Sequence, residues 1–202
     1  MPKLLLVRHG NTELNSAQRF WGQTDVDLSA SGIKQAEQLR DYLASQKIDA
    51  VYASNLSRAR VTADIIASKH QLEIKLCAEL REINFGLFEG LTFEEISNLH
   101  PEQAKLLAVW DAKPQFPSGE SLDDLNKRVS KFLPILQEHA SEETILIVTH
   151  SGVLRLLLCN LLGIDLWHWR QMRVDLASLS ILDTYPQGAI LSRLNDVSHL
   201  DS

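Results

Sequence analysis

At 202 residues and 45% hydrophobic content, the chain is long enough for one domain with a substantial core, and its composition excludes a disordered polypeptide. A net charge of -6 argues against non-specific nucleic-acid or membrane binding, and it makes any local arginine cluster stand out against the overall field. Cys77 and Cys159 lie in apolar segments without C-x-x-C or zinc-ligand spacing, so they read as free thiols of a reducing compartment.

Met1-Pro2-Lys3 runs straight into the apolar stretch Leu4 to Val7, an arrangement with no room for a signal peptide. No apolar run approaches the roughly eighteen residues of a membrane span. The expectation is a cytoplasmic protein. Leu4 to Val7 reads as a buried strand. Ser29 to Ser45 carries Ile33, Ala36, Leu39 and Leu43 at helical spacing, with Leu28-Ser29 as its start. Ala50 to Ala53 is a second buried strand and Ser57 to Ser68 a second helix. Ile74 to Cys77 forms a short strand that leads into a charged, glycine-punctuated loop from Leu80 to Gly90. Thr92-Phe93-Glu94-Glu95 resembles a capping box and opens a helix that fades near Pro101.

Lys113 to Gly119 is a loop, and Leu122 to His139 is amphipathic with a kink expected at Pro134. Thr144 to Val148 is a strong strand, followed by an apolar helix from Val153 to Leu162. Ser178 to Leu182 and Ala189 to Leu194 form a closing hairpin around Tyr185-Pro186-Gln187-Gly188. Alternating strands and helices predict an α/β fold. It is a three-layer sandwich: a mostly parallel central sheet with helices on both faces. The expected organisation is one domain over 1–202, with a lid-like insert over about 80–120.

Two segments share one design. Leu4-Leu5-Leu6-Val7-Arg8-His9-Gly10 and Ile145-Leu146-Ile147-Val148-Thr149-His150-Ser151-Gly152 each deliver a histidine just past a buried strand. If the strands are parallel neighbours, His9 and His150 meet at the rim where α/β proteins place ligands. Arg58 falls in the first turn of the second helix, where the helix dipole disfavours a cation unless an anion is bound. Its alternative is a structural salt bridge to Glu82 or Asp25. Arg8 and Arg58 together suit bidentate recognition of phosphate. Glu79, Glu82 and Glu89 are the candidate acids, and packing among Ile83, Phe85 and Phe88 is expected to desolvate one of them.

The ordered motifs resemble the histidine phosphatase superfamily, the phosphoglycerate-mutase-like α/β proteins. Arg8-His9-Gly10 with Thr12 and Asn15 fits its opening signature. Gly22-Gln23-Thr24-Asp25, Ser54-x-Leu56-x-Arg58-Ala59-x-x-Thr62-Ala63, Glu82-x-x-Phe85-Gly86-x-Phe88-Glu89-Gly90 and Thr149-His150-Ser151-Gly152 follow in order. The resemblance implies a two-step transfer through phosphohistidine, with His9 as nucleophile and Glu82 as proton donor and acceptor. It implies that Arg8, Arg58 and His150 neutralise the transferring group, and that Asn15, Gln23 and Ser151 bind substrate. No cofactor or metal is implied, the guanidinium groups supplying the positive charge. Asn11 departs from the acidic residue often found after the signature glycine, and Ser151 from a common glycine.

The implied partner is a small phosphorylated metabolite. Cofactor-dependent phosphoglycerate mutases carry a longer basic insert, whereas Trp110 to Gly119 here holds a single basic residue, Lys113, which favours hydrolysis. A catalytically inactive phospho-ligand-binding module is the alternative of another class, opposed by the intact set of site residues. A metallohydrolase built on His9 and His150 lacks a third ligand. Phe116 to Ser121 and the tail resemble small bacterial α-ribazole phosphatases and broad-specificity phosphatases, which makes α-ribazole 5'-phosphate the expected substrate. Trp21, Phe85, Phe88, Trp110 and Phe116 are candidates for an apolar wall over the leaving group. His168, within Trp167-His168-Trp169-Arg170, suggests a surface or subunit contact and a homodimer.

Overall fold

The computed structural model describes residues 1–13, 19–108 and 114–200. Its strands are β1 (Lys3–Arg8), β2 (Ala50–Ser54), β3 (Ile74–Cys77), β4 (Thr144–Thr149), β5 (Leu179–Tyr185) and β6 (Gly188–Asp196). They form one sheet in the order β3-β2-β4-β1-β5-β6. The first four are mutually parallel, and the β5–β6 hairpin adds two antiparallel strands beside β1. Tyr185 pairs with Gly188, so Pro186-Gln187 is the turn expected there.

Both faces of the sheet are covered, which is why β1 and β4 are almost wholly apolar rather than alternating. On one face, Leu5, Val7, Leu146 and Val148 pack against α1 (Ala30–Leu43) and α2 (Ser57–Ala67). On the other, Leu4, Leu6, Ile145 and Ile147 join the larger core built with α5 (Leu122–Ser130), α6 (Leu133–Gln137) and α7 (Ser151–Leu162). The three-layer α/β architecture is therefore the one the sequence predicts. Among the described residues, no helix is long and apolar enough to cross a membrane.

Three local readings need correction. Ser29 caps α1 as expected, its side chain accepting from the Gly32 N–H at 3.1 Å, but Ile33 is 41% exposed. Gly32 takes the buried position because backbone packs on backbone there. A Cβ on Gly32 would lie 2.0 Å from the Asn11 carbonyl oxygen, and one on Gly10 would lie 2.5 Å from that of Gly32. The capping box at Thr92 and Glu95 opens α3 (Phe93–Leu99), which ends just before Pro101 as expected. A second helix that the sequence reading did not give follows directly, and the proline is its first residue. It begins α4 (Pro101–Ala108), because a proline at the first helical position lacks only an N–H that would be unpaired anyway. Pro134 does more than kink its helix. The chain breaks between α5 and α6, with the proline in the first turn of the second piece.

Candidate active site

In the β1–β4 register Arg8 lies opposite Thr149, so His9 and His150 leave neighbouring strands at the same level. Their rings stand 5.1 Å apart, centroid to centroid. The sequence-based placement of both histidines on one rim holds.

His9 is buried, and its Nδ1 lies 2.7 Å from the Gly10 carbonyl oxygen. A carbonyl only accepts, so Nδ1 carries the ring proton and Nε2 keeps its lone pair. Burial, reinforced by Arg58 and Arg8, holds the His9 pKa well below 6.5, against the opposing pull of the Gly10 hydrogen bond. The ring is thus neutral and oriented, with the Nε2 lone pair unprotonated. Thr62 fixes this corner by accepting from the Gly10 N–H at 3.1 Å and donating to the Arg58 carbonyl at 2.8 Å.

His150 is fully buried, and desolvation followed by Arg58 likewise pushes its pKa well down. Its Nε2 lies 2.9 Å from the Ser54 hydroxyl, which itself accepts from the Leu56 N–H at 3.3 Å. A Ser54 hydroxyl that donates to Nε2 leaves the ring proton on Nδ1. Among the described residues, that nitrogen and Arg8 Nε are buried without a hydrogen-bond partner. A buried donor in that state costs on the order of 1–3 kcal/mol, which a bound anion would offset.

Arg58 is 2% exposed and does not make the salt bridge offered as its alternative role. Its guanidinium donates to the carbonyls of Gly22 at 2.6 Å and Thr24 at 2.9 Å. Asp25 instead caps α2, accepting from the Ser57 N–H at 2.7 Å and hydroxyl at 2.9 Å. Arg8 is held in the same way, through the Val174 carbonyl at 2.8 Å. Desolvation lowers the pKa of both arginines, and Glu82 is the largest opposing influence on each. Carbonyls orient these cations without neutralising them, and the result is an electropositive pocket.

Of the three candidate acids, Glu82 is the one in the site. Its carboxylate accepts from the Ile83 N–H at 3.0 Å and from the Gly152 N–H, in the first turn of α7, at 3.3 Å. Glu89 turns to the 22–24 loop, accepting from the N–H groups of Gly22 (3.1 Å) and Gln23 (2.9 Å) and the Thr24 hydroxyl (2.7 Å). It thereby positions the carbonyls that hold Arg58. The Glu79 carbonyl belongs to a clamp that sequence reasoning missed. Arg128 donates to the carbonyls of Glu79, Arg81 and Glu82 at 2.9, 2.7 and 3.1 Å, and forms a bidentate pair with Glu120. Glu120 also accepts from the Asn84 N–H at 2.9 Å. The backbone on both sides of Glu82 is therefore fixed from α5. The sequence carries no pattern that marks this clamp, since three of its partners are backbone carbonyls and Glu120 lies outside the helix that bears Arg128.

A cavity of about 310 Å³ is lined by Arg8, His9, Arg58, Glu82 and Ser151. Gln23 is not on that lining; its side-chain amide donates to the Glu82 carbonyl at 3.3 Å. Asn15 and Trp110 lie outside the described residues. Trp21 and Phe85 line this cavity, and Phe85 and Phe116 line an adjoining one, whereas Phe88 is core. Phe20, Phe93 and Trp169 complete the aromatic wall, and the sequence reading had assigned none of them to it. Trp167 is 46% exposed. Among the described residues, no cluster of three His, Cys, Asp or Glu side chains could hold a metal ion.

The profile of the histidine phosphatase superfamily (branch 1) matches residues 4–197. Phosphoserine phosphatase 1 of Hydrogenobacter thermophilus is 34% identical to this chain, the match covering 99% of it and 95% of that protein. Probable phosphoglycerate mutase GpmB of Citrobacter koseri is 31% identical, over 100% of this chain and 96% of its own. The alpha-ribazole phosphatase from Shigella flexneri is similar in structure, with a TM-score of 0.89 and 32% identity over 96% of each chain.

Three predictions follow from this geometry. The unfolded chain takes up protons at His9 and His150 as pH falls below 6.5, while the folded chain refuses them until its own lower pKa values are reached. Denaturation midpoints should therefore drop between about pH 7.5 and pH 5.5, and drop less in His9→Gln/His150→Gln protein. In Gly152→Ala, the added Cβ would lie 2.5 Å from Glu82 Oε1. Displacing that carboxylate should cut turnover about a hundredfold while leaving the thermal midpoint within a few degrees of wild type. Arg128→Met should lower turnover of poor leaving groups by about tenfold or more, with a smaller effect on p-nitrophenyl phosphate, in steady-state assays of both.

Proposed function

The chain belongs to the histidine phosphatase superfamily and is a phosphoric monoester hydrolase, and we propose that it works without metal, through a phosphohistidine at His9, on a small phosphorylated metabolite. The observation that carries this reading is the hydrogen bond from His9 Nδ1 to the Gly10 carbonyl, which leaves Nε2 basic in a cavity lined by Arg8, Arg58 and Glu82.

In the first step the Nε2 lone pair attacks phosphorus and the bond to the ester oxygen breaks. The Glu82 carboxyl gives its proton to that oxygen, and the alcohol leaves. The ring gains positive charge as the N–P bond forms, and the Gly10 carbonyl stabilises it through Nδ1–H. Arg8, Arg58 and the Nδ1–H of His150 take up the charge on the non-bridging phosphoryl oxygens. In the second step water attacks phosphorus, the Glu82 carboxylate accepts its proton and the N–P bond breaks. Inorganic phosphate and neutral His9 result. Cys77 and Cys159, both free thiols, support a cytoplasmic setting for this reading.

Two leaving groups have support. The aromatic wall of Phe20, Phe85, Phe93, Phe116 and Trp169 suits the flat base of α-ribazole 5'-phosphate, the substrate type named for a structural relative. Arg155 in the same wall favours a carboxylated alcohol such as that of phosphoserine, named for a sequence relative.

His9→Ala should abolish hydrolysis of p-nitrophenyl phosphate and abolish the acid-labile, base-stable phosphoprotein trapped on rapid quenching of wild type. Retained turnover in that variant would sink the nucleophile assignment. Glu82→Gln should slow alkyl phosphates by about a hundredfold or more, and p-nitrophenyl phosphate far less, because a good leaving group needs little proton donation. An equal loss across substrates would contradict the acid role.

A further inference from the structure

A second cavity of about 240 Å³ adjoins the phosphate site, sharing Phe20, Glu82, Phe85 and Ser151 with it. Glu82 protonates the ester oxygen, so the cavity on its far side is where the departing alcohol sits. The remaining walls are Phe93, Leu107, Phe116 and Trp169, together with Arg155 and Arg170.

Arg155 is unusual in this setting. It projects from α7 one turn beyond Ser151, and its Nε donates to the Met172 carbonyl at 2.9 Å. Its guanidinium lies 5.8 Å from the centre of the Trp169 ring, and Arg170 lies 5.3 Å from the same ring. Among the described residues Arg155 forms no ion pair. Burial lowers its pKa, and Glu82 opposes that shift. Among the described residues its two terminal nitrogens make no hydrogen bond, and the half-buried guanidinium lines a largely apolar cavity. A half-buried guanidinium on an apolar wall pairs more strongly with an anion than one at the open surface does, because less water screens the pair.

The cavity limits the size of that anion. Arg155 lies one helical turn past Gly152, whose N–H holds Glu82, and both Arg155 and Glu82 line the same cavity of about 240 Å³. An alcohol with a carboxylate a few bonds from the ester oxygen fits a space of that size. A flat, uncharged base would stack on the aromatic walls but leave the guanidinium unmatched.

We propose that Arg155 is the specificity residue of the leaving-group cavity and binds a carboxylate carried by the alcohol, so that the substrates are phosphorylated small hydroxy or amino acids. The proposal rests on the phosphomonoesterase reading for its choice of cavity, but it can be tested by binding alone.

Affinities for 3-phosphoglycerate and for glycerol 3-phosphate, which replaces the carboxylate with a hydroxymethyl group, are measured by calorimetry on His9→Ala protein. The same pair, together with α-ribazole 5'-phosphate, is assayed for turnover on wild type. The carboxylated ligand should bind about tenfold to a hundredfold more tightly. Adding Arg155→Met should bring that ratio close to one, while Arg155→Lys should keep part of it. A ratio near one in His9→Ala protein overturns the proposal. So does an equal loss for both ligands on adding Arg155→Met, since the arginine would then merely support the segment at Met172. Faster wild-type turnover of α-ribazole 5'-phosphate than of 3-phosphoglycerate overturns it as well. Selective binding without wild-type turnover of any phosphate ester would uphold Arg155 as an anion site and defeat the phosphatase reading instead.

Discussion

The parallel pairing of β1 with β4, with Arg8 opposite Thr149, is the constraint on which the site depends. It joins segments more than a hundred residues apart and sets His9 beside His150. Strand side chains alternate between faces, so a one-residue slip would invert every core contact of one strand. Leu4 and Leu6 face one core and Leu5 and Val7 the other, which makes such a slip prohibitive. The hydrophobic demands of two cores thereby fix the relative position of the two histidine rings. The register also brings the amino end of α7 next to β1, where the Gly152 N–H meets Glu82.

Electrostatics then shape what that register assembles. Arg8, Arg58, His9 and His150 are all withdrawn from water, and Glu82 is the carboxylate that lines the phosphate cavity with them. Had Asp25 or Glu89 paired with Arg58, its charge would be cancelled before a phosphate arrived. Both carboxylates instead bind backbone N–H and hydroxyl groups and so position the carbonyls around the arginine. This arrangement leaves two cations oriented but not neutralised. The same field holds the imidazoles neutral, which a nucleophile requires. Positive charge for the phosphate and a lone pair for phosphorus therefore have one origin.

The strand exits were legible because a buried parallel strand is a continuous apolar run, and the first polar residues after it mark the rim. The two histidines and Arg58 could be found that way. Pattern and spacing could not choose among Glu79, Glu82 and Glu89, because the three differ only in what their carboxylates touch after folding, and the motif resemblance alone singled out Glu82. Arg128 was invisible for a related reason: its carbonyl partners lie 46 to 49 residues away, and a carbonyl leaves no mark in a sequence. Ile33 was misplaced because helical periodicity counts side chains, whereas Gly32 packs through its backbone. α4 was missed because Pro101 reads equally well as the end of one helix and the start of the next.

Glu82 stands on the boundary between two regions with different tolerances. The phosphate half is made from strand ends and the first turns of α2 and α7, and these are locked by the central sheet. The leaving-group half is made from Phe93 of α3, Leu107 of α4 and the 166–171 turn, which pack over the larger core without joining the sheet. Side chains in those segments can change without disturbing His9, Arg8 or Arg58. Among the helices lining the two cavities, α7 is the one common to both, with the Gly152 N–H on Glu82 and Arg155 one turn further in the wall of the second cavity. On the proposed reading, selectivity anchored on Arg155 would be set by the same rigid helix that holds Glu82. Aromatic contacts from the outer segments carry no such constraint, so on that reading they would select for shape and Arg155 for charge.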